Sequence, residues 1–119
     1  MKRTIALILV SWTAFAHSAW TAEISFARDI EPIFKEYCVK CHGTLFPQKK
    51  LKLKSLKNLM KGGESGAAVV PGAPEKSLLI IGLNLPRPDP RRMPPAAENK
   101  DLSPRQIALI TEWVRQGAK

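Results

Sequence analysis

Residues 38–42 read Cys38-Val39-Lys40-Cys41-His42, and this run decides the reading of the chain. Two thiols three apart, with an imidazole directly after the second, fall at positions i, i+3 and i+4. On a helix those positions share one face, so all three groups can meet one flat ligand. In an exported protein this pattern marks a covalent attachment site for c-type haem. The thiols of Cys38 and Cys41 can form thioethers to the porphyrin, and His42 can ligate the iron as its proximal ligand.

Outward from this run, the preceding residues predict a helix over 29–42. Ile30, Ile33, Phe34, Tyr37, Cys38 and Cys41 form a single apolar stripe at helical period. Asp29 is placed as its N-cap, Pro32 falls in the first turn, and Gly43 is placed as the stop. The stripe runs into the cysteines, so the haem is expected on the core face.

The chain has 119 residues and a formal charge of +9. Its start has the pattern of a secretory leader: Lys2 and Arg3, then an apolar run from Ile5 to Ala16, then small residues. Cleavage is placed near Ala22, with Ala16 and Ala19 as alternatives. The apolar run is shorter than the roughly 20 residues that span a bilayer. The expected division is therefore a signal peptide, 1–22, and one domain, 23–119, exported to the periplasm or secreted, without stable membrane insertion. The basic surface suits partners with an acidic face. No nucleic-acid-binding motif accompanies it, so nucleic acid is not expected.

Further along, Leu51 and Leu53 alternate with lysines, as in a short extended segment. Ser55 is placed as the cap of a short helix that ends at Gly62-Gly63, with Leu56, Leu59 and Met60 in the core. Pro74 opens a third helix, with Leu78, Leu79 and the residues to Leu83 facing inward. Residues 84–100 hold Pro86, Pro88, Pro90, Pro94 and Pro95 and predict an extended, stiff connector. The last helix carries Ser103-Pro104-Arg105-Gln106, an N-cap, an N1 proline and a capping-box glutamine, and closes at Gly117. Ile107, Ile110, Trp113 and Val114 are its core residues, and Trp113, Phe34 and Ile30 are expected to join the first and last helices.

His42 is the sole histidine of residues 23–119, which excludes a bis-histidine iron within one monomer. Met93, held in Arg92-Met93-Pro94-Pro95, is chosen as the distal ligand because the following prolines restrict its backbone. Arg87, Arg91 and Arg92 are candidates to pair with the haem propionates, against an ordinary solvated role. A zinc site needs more Cys or His than the chain has. A thioredoxin-like pair needs a βαβ setting that is absent from the pattern.

These residues taken together resemble class I c-type cytochromes, and specifically the planctomycete-type cytochrome c domain. The resemblance rests on Ile24-Ser25-Phe26 with Asp29-Ile30-Glu31-Pro32-Ile33-Phe34, on Cys38 to Gly43, and on Lys61-Gly62-Gly63-Glu64-Ser65-Gly66. It continues through Val70-Pro71-Gly72, Ser77-Leu78-Leu79, Arg92-Met93-Pro94-Pro95 and the ending from Leu102 to Ala118. It implies an all-α fold packed around one covalent haem c. It implies thioethers at Cys38 and Cys41, iron ligation by His42 and Met93, and electron transfer rather than enzymatic catalysis. The run Leu51-Lys52-Leu53-Lys54 is more basic than the acid-containing version expected of such a domain. Two other readings remain: a haem protein with an open distal position, reacting with peroxide or binding a gas, and a haem-free binding module held by a disulfide.

Overall fold

The computed structural model describes residues 22–43 and 45–119. The leader expected over residues 1–22 thus lies, apart from Ala22, outside the described residues. The described chain is all-α. Its helices are α1, Glu31–Tyr37; α2, Leu56–Lys61; α3, Leu78–Asn84; and α4, Pro104–Arg115. A π-helical turn, Phe26–Ile30, leads directly into α1, and short 3-10 turns occupy Gln48–Lys50, Pro74–Lys76 and Ala96–Glu98. Among the described residues the only strand-like pairing is one isolated bridge between Gly63 and Gly66. No helix among them is long and apolar enough to cross a membrane.

The first helical segment starts earlier and stops earlier than the apolar stripe predicts. Ser25, not Asp29, is the N-cap: its hydroxyl accepts from the Arg28 N–H, while Asp29 Oδ2 accepts from the Ser25 N–H at 2.8 Å. This reciprocal bonding satisfies two orphan donors at the helix start and moves winding back by four residues. At the other end the Phe34 carbonyl accepts from both Cys38 and Val39 N–H, at 2.9 and 3.0 Å. Val39 thus bonds Phe34 rather than Lys35, the acceptor that would continue the i→i−4 ladder, and α1 ends at Tyr37.

The core forms where the Phe26–Ile30 turn and the Phe34 ring of α1 meet α4. Phe34 and Trp113 are fully buried, with ring centroids 6.5 Å apart and planes at 87°. Phe26 joins them at 6.1 Å from Phe34 and 5.7 Å from Trp113. Edge-to-face pairs at such distances add to the gain from burying apolar area. Ile30, Ile110 and Val114 are also fully buried around this trio. The expected meeting of the first and last helices through Ile30, Phe34 and Trp113 is what the fold shows.

Helix α4 has the capping box its sequence announces, with the Gln106 N–H bonded to Ser103 Oγ and the Ser103 N–H to Gln106 Oε1. It ends in a Schellman motif: Gly117 at φ 108°, its N–H on the Val114 carbonyl and the Ala118 N–H on the Trp113 carbonyl. The first helical turn and Trp113 are tied to residue 119 beside it, because the Phe26 N–H and Trp113 Nε1–H both donate to the main-chain oxygen of Lys119.

Helix α3 is anchored by Ser77, which is fully buried. Its hydroxyl accepts from the Val70 N–H at 2.9 Å and donates to the Ala73 carbonyl at 3.0 Å, so this polar group is satisfied inside the core. Ile80, Gly82 and Leu83 face inward. Leu78 does not, contrary to expectation; it is 42% exposed and Ile81 41%. A seven-residue helix packed on one side buries only one stripe, and Leu78 and Ile81 lie outside it, with half-exposed Leu85 just past the helix end. The same geometry corrects Met60. Leu59 takes the buried position on α2, and Met60 is turned outward at 37% exposure. The proline-rich connector is a chain of tight turns rather than an extended strut. Its turns are closed by Asp89 N–H to Pro86 O and Arg92 N–H to Asp89 O, because the carboxylate of Asp89 also takes the Arg91 N–H and reverses the chain there.

Because Ile110 and Phe34 are both fully buried, Ile110→Val should lower the unfolding free energy by about 1 kcal/mol and Phe34→Ala by about 3–5 kcal/mol. Urea unfolding followed by tryptophan fluorescence measures both, and equal small losses would contradict this placement of the core.

Candidate functional site

The Cys38–His42 run forms a turn of its own after α1. The Cys38 carbonyl accepts from the Cys41 N–H at 3.2 Å and from the His42 N–H at 2.9 Å. The backbone thus closes one turn over Cys38–His42, although the helix predicted through residue 42 has already ended. Both cysteines are free thiols and half-buried. Burial, and secondarily the neighbouring Cys41, pushes the Cys38 thiol up to about 12. Cys38 is therefore a neutral thiol at physiological pH, unlike the low-pKa thiolate of a redox pair.

His42 is buried, at 8% exposure. Its Nδ1 lies 3.2 Å from the Gln48 carbonyl oxygen. A carbonyl can only accept, so Nδ1 carries the hydrogen and Nε2 keeps its lone pair for a metal. The loop that supplies Gln48 is stitched to the same turn, with the Gln48 N–H on the Cys41 carbonyl at 2.8 Å and the Leu53 N–H on the His42 carbonyl at 2.9 Å. Sequence reasoning missed Gln48. A backbone acceptor leaves no signature in residue type, so only the fold reveals it.

The Gln48 loop carries local strain. Lys49 and Lys50 both have left-handed φ, 52° and 56°, an uncommon conformation for residues with a β-carbon. It is held from behind by the glycine turn at the end of α2. The Glu64 N–H donates to the Lys49 carbonyl at 2.8 Å. A β-carbon at Gly63 would sit 2.6 Å from the Lys49 carbonyl oxygen and 3.0 Å from Leu51 Cβ. Only glycine allows that approach. The Lys61-Gly62-Gly63-Glu64 run therefore backs the loop that orients His42.

Met93 lies in the connector, 37% exposed. Its N–H donates to the Gly82 carbonyl on α3 at 3.1 Å, and the Met93–Pro94 peptide is cis. Gly82 faces it closely, with Met93 Cγ only 3.7 Å from where a β-carbon would be. Met93 therefore packs against α3 at Gly82. The segment after Met93 is tied to the attachment turn and α1 by Lys40–Glu98 at 2.7 Å and Lys100–Glu36 at 3.6 Å. Lys100 also sits 4.9 Å above the ring of Tyr37. Exposed ion pairs contribute little stability individually, but these hold the two segments together. Arg91 is paired with Asp89, and Arg87 and Arg92 with Asp101, so each arginine considered for propionates already has a carboxylate.

From Tyr37 to Gly63 the chain contains no Asp or Glu, while Lys40, Lys49, Lys50, Lys52, Lys54, Lys57 and Lys61 fall within it. Lys40 and Lys50 have carboxylate partners. Lys54, Lys57 and Lys61 are exposed, and Lys57 and Lys61 share one face of α2. An open groove of ≈ 670 Å³ runs along α4, lined by Leu102, Pro104, Ile107 and Thr111 among others. None of Cys38, Cys41, His42 and Met93 lines it, so the donor set rather than this groove marks the site. Among the described residues, no three of His, Cys, Asp and Glu cluster as an ion site.

An all-α chain with two thiols and a tautomer-fixed imidazole on one turn has the donor set of a c-type cytochrome. Consistent with this, the family model for planctomycete cytochrome C matches residues 38–97, half of the 119 residues, and the chain belongs to that family. No curated protein and no solved structure matched the chain. The family implies a c-type haem. The residues fit such a group: two free thiols and an imidazole whose Nδ1 is committed to a backbone carbonyl.

Gly63→Ala should push the Lys49–Leu51 backbone away from the α2 turn and lower the unfolding free energy by about 1–3 kcal/mol. A urea midpoint equal to that of the parent protein would contradict the close approach.

Proposed function

We propose that this chain is a monohaem electron carrier, with one haem c held through thioethers at Cys38 and Cys41 and its iron ligated by His42 and Met93. Bound haem supplies a one-electron couple at its iron. The protein supplies the rest. The Nδ1 hydrogen bond to Gln48 holds the His42 ring and raises its basicity as a ligand. The Met93 thioether, a soft donor, favours the ferrous state. The partly exposed Leu78 and Ile81 belong to α3, the helix to which the Met93 N–H is bonded, and apolar residues there would limit water at the redox centre and disfavour added positive charge. No covalent change in a substrate is part of this role. The single observation that carries the reading is the His42 geometry: a buried imidazole with Nδ1 committed to a backbone carbonyl, one residue after two free thiols.

In this reading residues 1–22 direct export, the domain over 23–119 acts in the periplasm, and the lysines around α2 dock an acidic redox partner. Such charges raise the encounter rate more than the final affinity. Replacing Lys54, Lys57 and Lys61 with Glu should slow electron transfer to an acidic partner about tenfold at low ionic strength and flatten its salt dependence. Stopped-flow kinetics measures this, and an unchanged rate removes α2 from the docking face.

The iron ligands are tested by absorption spectra of the holoprotein. The expected result is a low-spin ferrous spectrum and, in the ferric state, the weak near-infrared sulfur-to-iron band, which Met93→Ala abolishes. A high-spin spectrum with ready carbon monoxide binding by the reduced protein would favour the open distal position instead. A band that survives Met93→Ala would overturn the choice of Met93.

A further inference from the structure

Met93 stands in a segment without regular secondary structure, so something other than a helix must hold its backbone. Its own N–H is fixed on Gly82 of α3. The other side of the residue is fixed by its neighbour. Arg92 Nη1 donates to the Pro94 carbonyl at 2.8 Å and lies 2.9 Å from Asp101 Oδ1. The guanidinium thus reaches across Met93 and closes a small ring over residues 92–94. Its side chain is only 12% exposed, against 76% for Arg91 and 48% for Arg87. Withdrawing a guanidinium from water is costly unless its donors are met, and here a carboxylate and a carbonyl meet them. Asp101 also takes Arg87, which bonds the Ala96 carbonyl at 3.2 Å, so the anchor itself is braced.

We infer that Arg92 is a positioning residue for the distal ligand: its bridge between Pro94 and Asp101 holds the Met93 backbone so that the thioether stays presented to the iron. This rests on the proposed ligand role of Met93. Arg91 separates this role from a general effect of charge. It carries the same charge next door, but pairs locally with Asp89 and makes no bond across Met93.

The experiment uses the holoprotein and the variants Arg92→Gln, Arg92→Lys, Asp101→Asn and Arg91→Gln. Two quantities are read in the ferric state: the temperature at which the near-infrared band is half lost, and the rate at which added imidazole displaces the sixth ligand. Far-ultraviolet circular dichroism follows global unfolding separately. The structure predicts that Arg92→Gln loses the band well before the helices melt and binds imidazole about tenfold faster, as expected for a lost charge-assisted hydrogen bond. Arg92→Lys should recover part of the difference, Asp101→Asn should show a smaller loss, and Arg91→Gln should match the parent. If Arg92→Gln does not accumulate, Arg92→Lys and Asp101→Asn carry the same comparison. A parent band that persists unchanged in the Arg92 and Asp101 variants overturns the role of Arg92 and leaves Met93 as ligand. Equal effects from Arg91→Gln overturn it in favour of charge alone. A parent protein with no band removes Met93 as ligand, and the proposal with it.

Discussion

A buried neutral imidazole has one nitrogen that bears hydrogen and one that does not, and a metal can use only the second. In this chain that choice is made by the Gln48 carbonyl, 3.2 Å from His42 Nδ1. Much of the surrounding architecture serves to hold that carbonyl in place. The Gln48 and Leu53 N–H groups tie the loop to Cys41 and His42. Two lysines accept left-handed backbone angles within it. Gly63 permits the loop to lie against the end of α2, where any β-carbon would collide. The strain in the loop is tolerated because hydrogen bonds on both sides determine its path.

A second constraint is size. A chain of this length buries a limited core, and here that core is concentrated around Phe26, Phe34 and Trp113. Helix α3 packs only one side inward and leaves Leu78 and Ile81 partly exposed. A prosthetic group joined to Cys38 and Cys41 would add apolar burial that a small domain lacks. The connector after α3 is likewise held by polar bonds rather than packing. Arg87, Arg92 and Asp101 brace it from within, and Lys40, Glu98, Lys100 and Glu36 tie it to the attachment turn and α1.

The parts of this arrangement written in residue type were legible from sequence. The capping box of α4, the Ser55 cap of α2, the aromatic core and the Cys-x-x-Cys-His run all depend on side chains with distinctive chemistry. What was not legible depends on the backbone. The early end of α1 follows from two N–H groups sharing the Phe34 carbonyl, and the orientation of His42 follows from the Gln48 carbonyl; neither requires a particular side chain. Periodicity also misled for the short helices. Over six or seven residues every apolar position can be fitted to a stripe, so Met60 and Leu78 read as core, although such helices bury only one side. The connector was read as stiff from its prolines, whereas Asp89 bends it through bonds to Arg91.

The most direct test of the account is the mass of the Cys38–His42 peptide from protein made with a haem-attachment system. The account predicts a peptide carrying one haem on both cysteines, with no second haem elsewhere in the chain. Free thiols or a Cys38–Cys41 disulfide in folded protein from the same cells would contradict it.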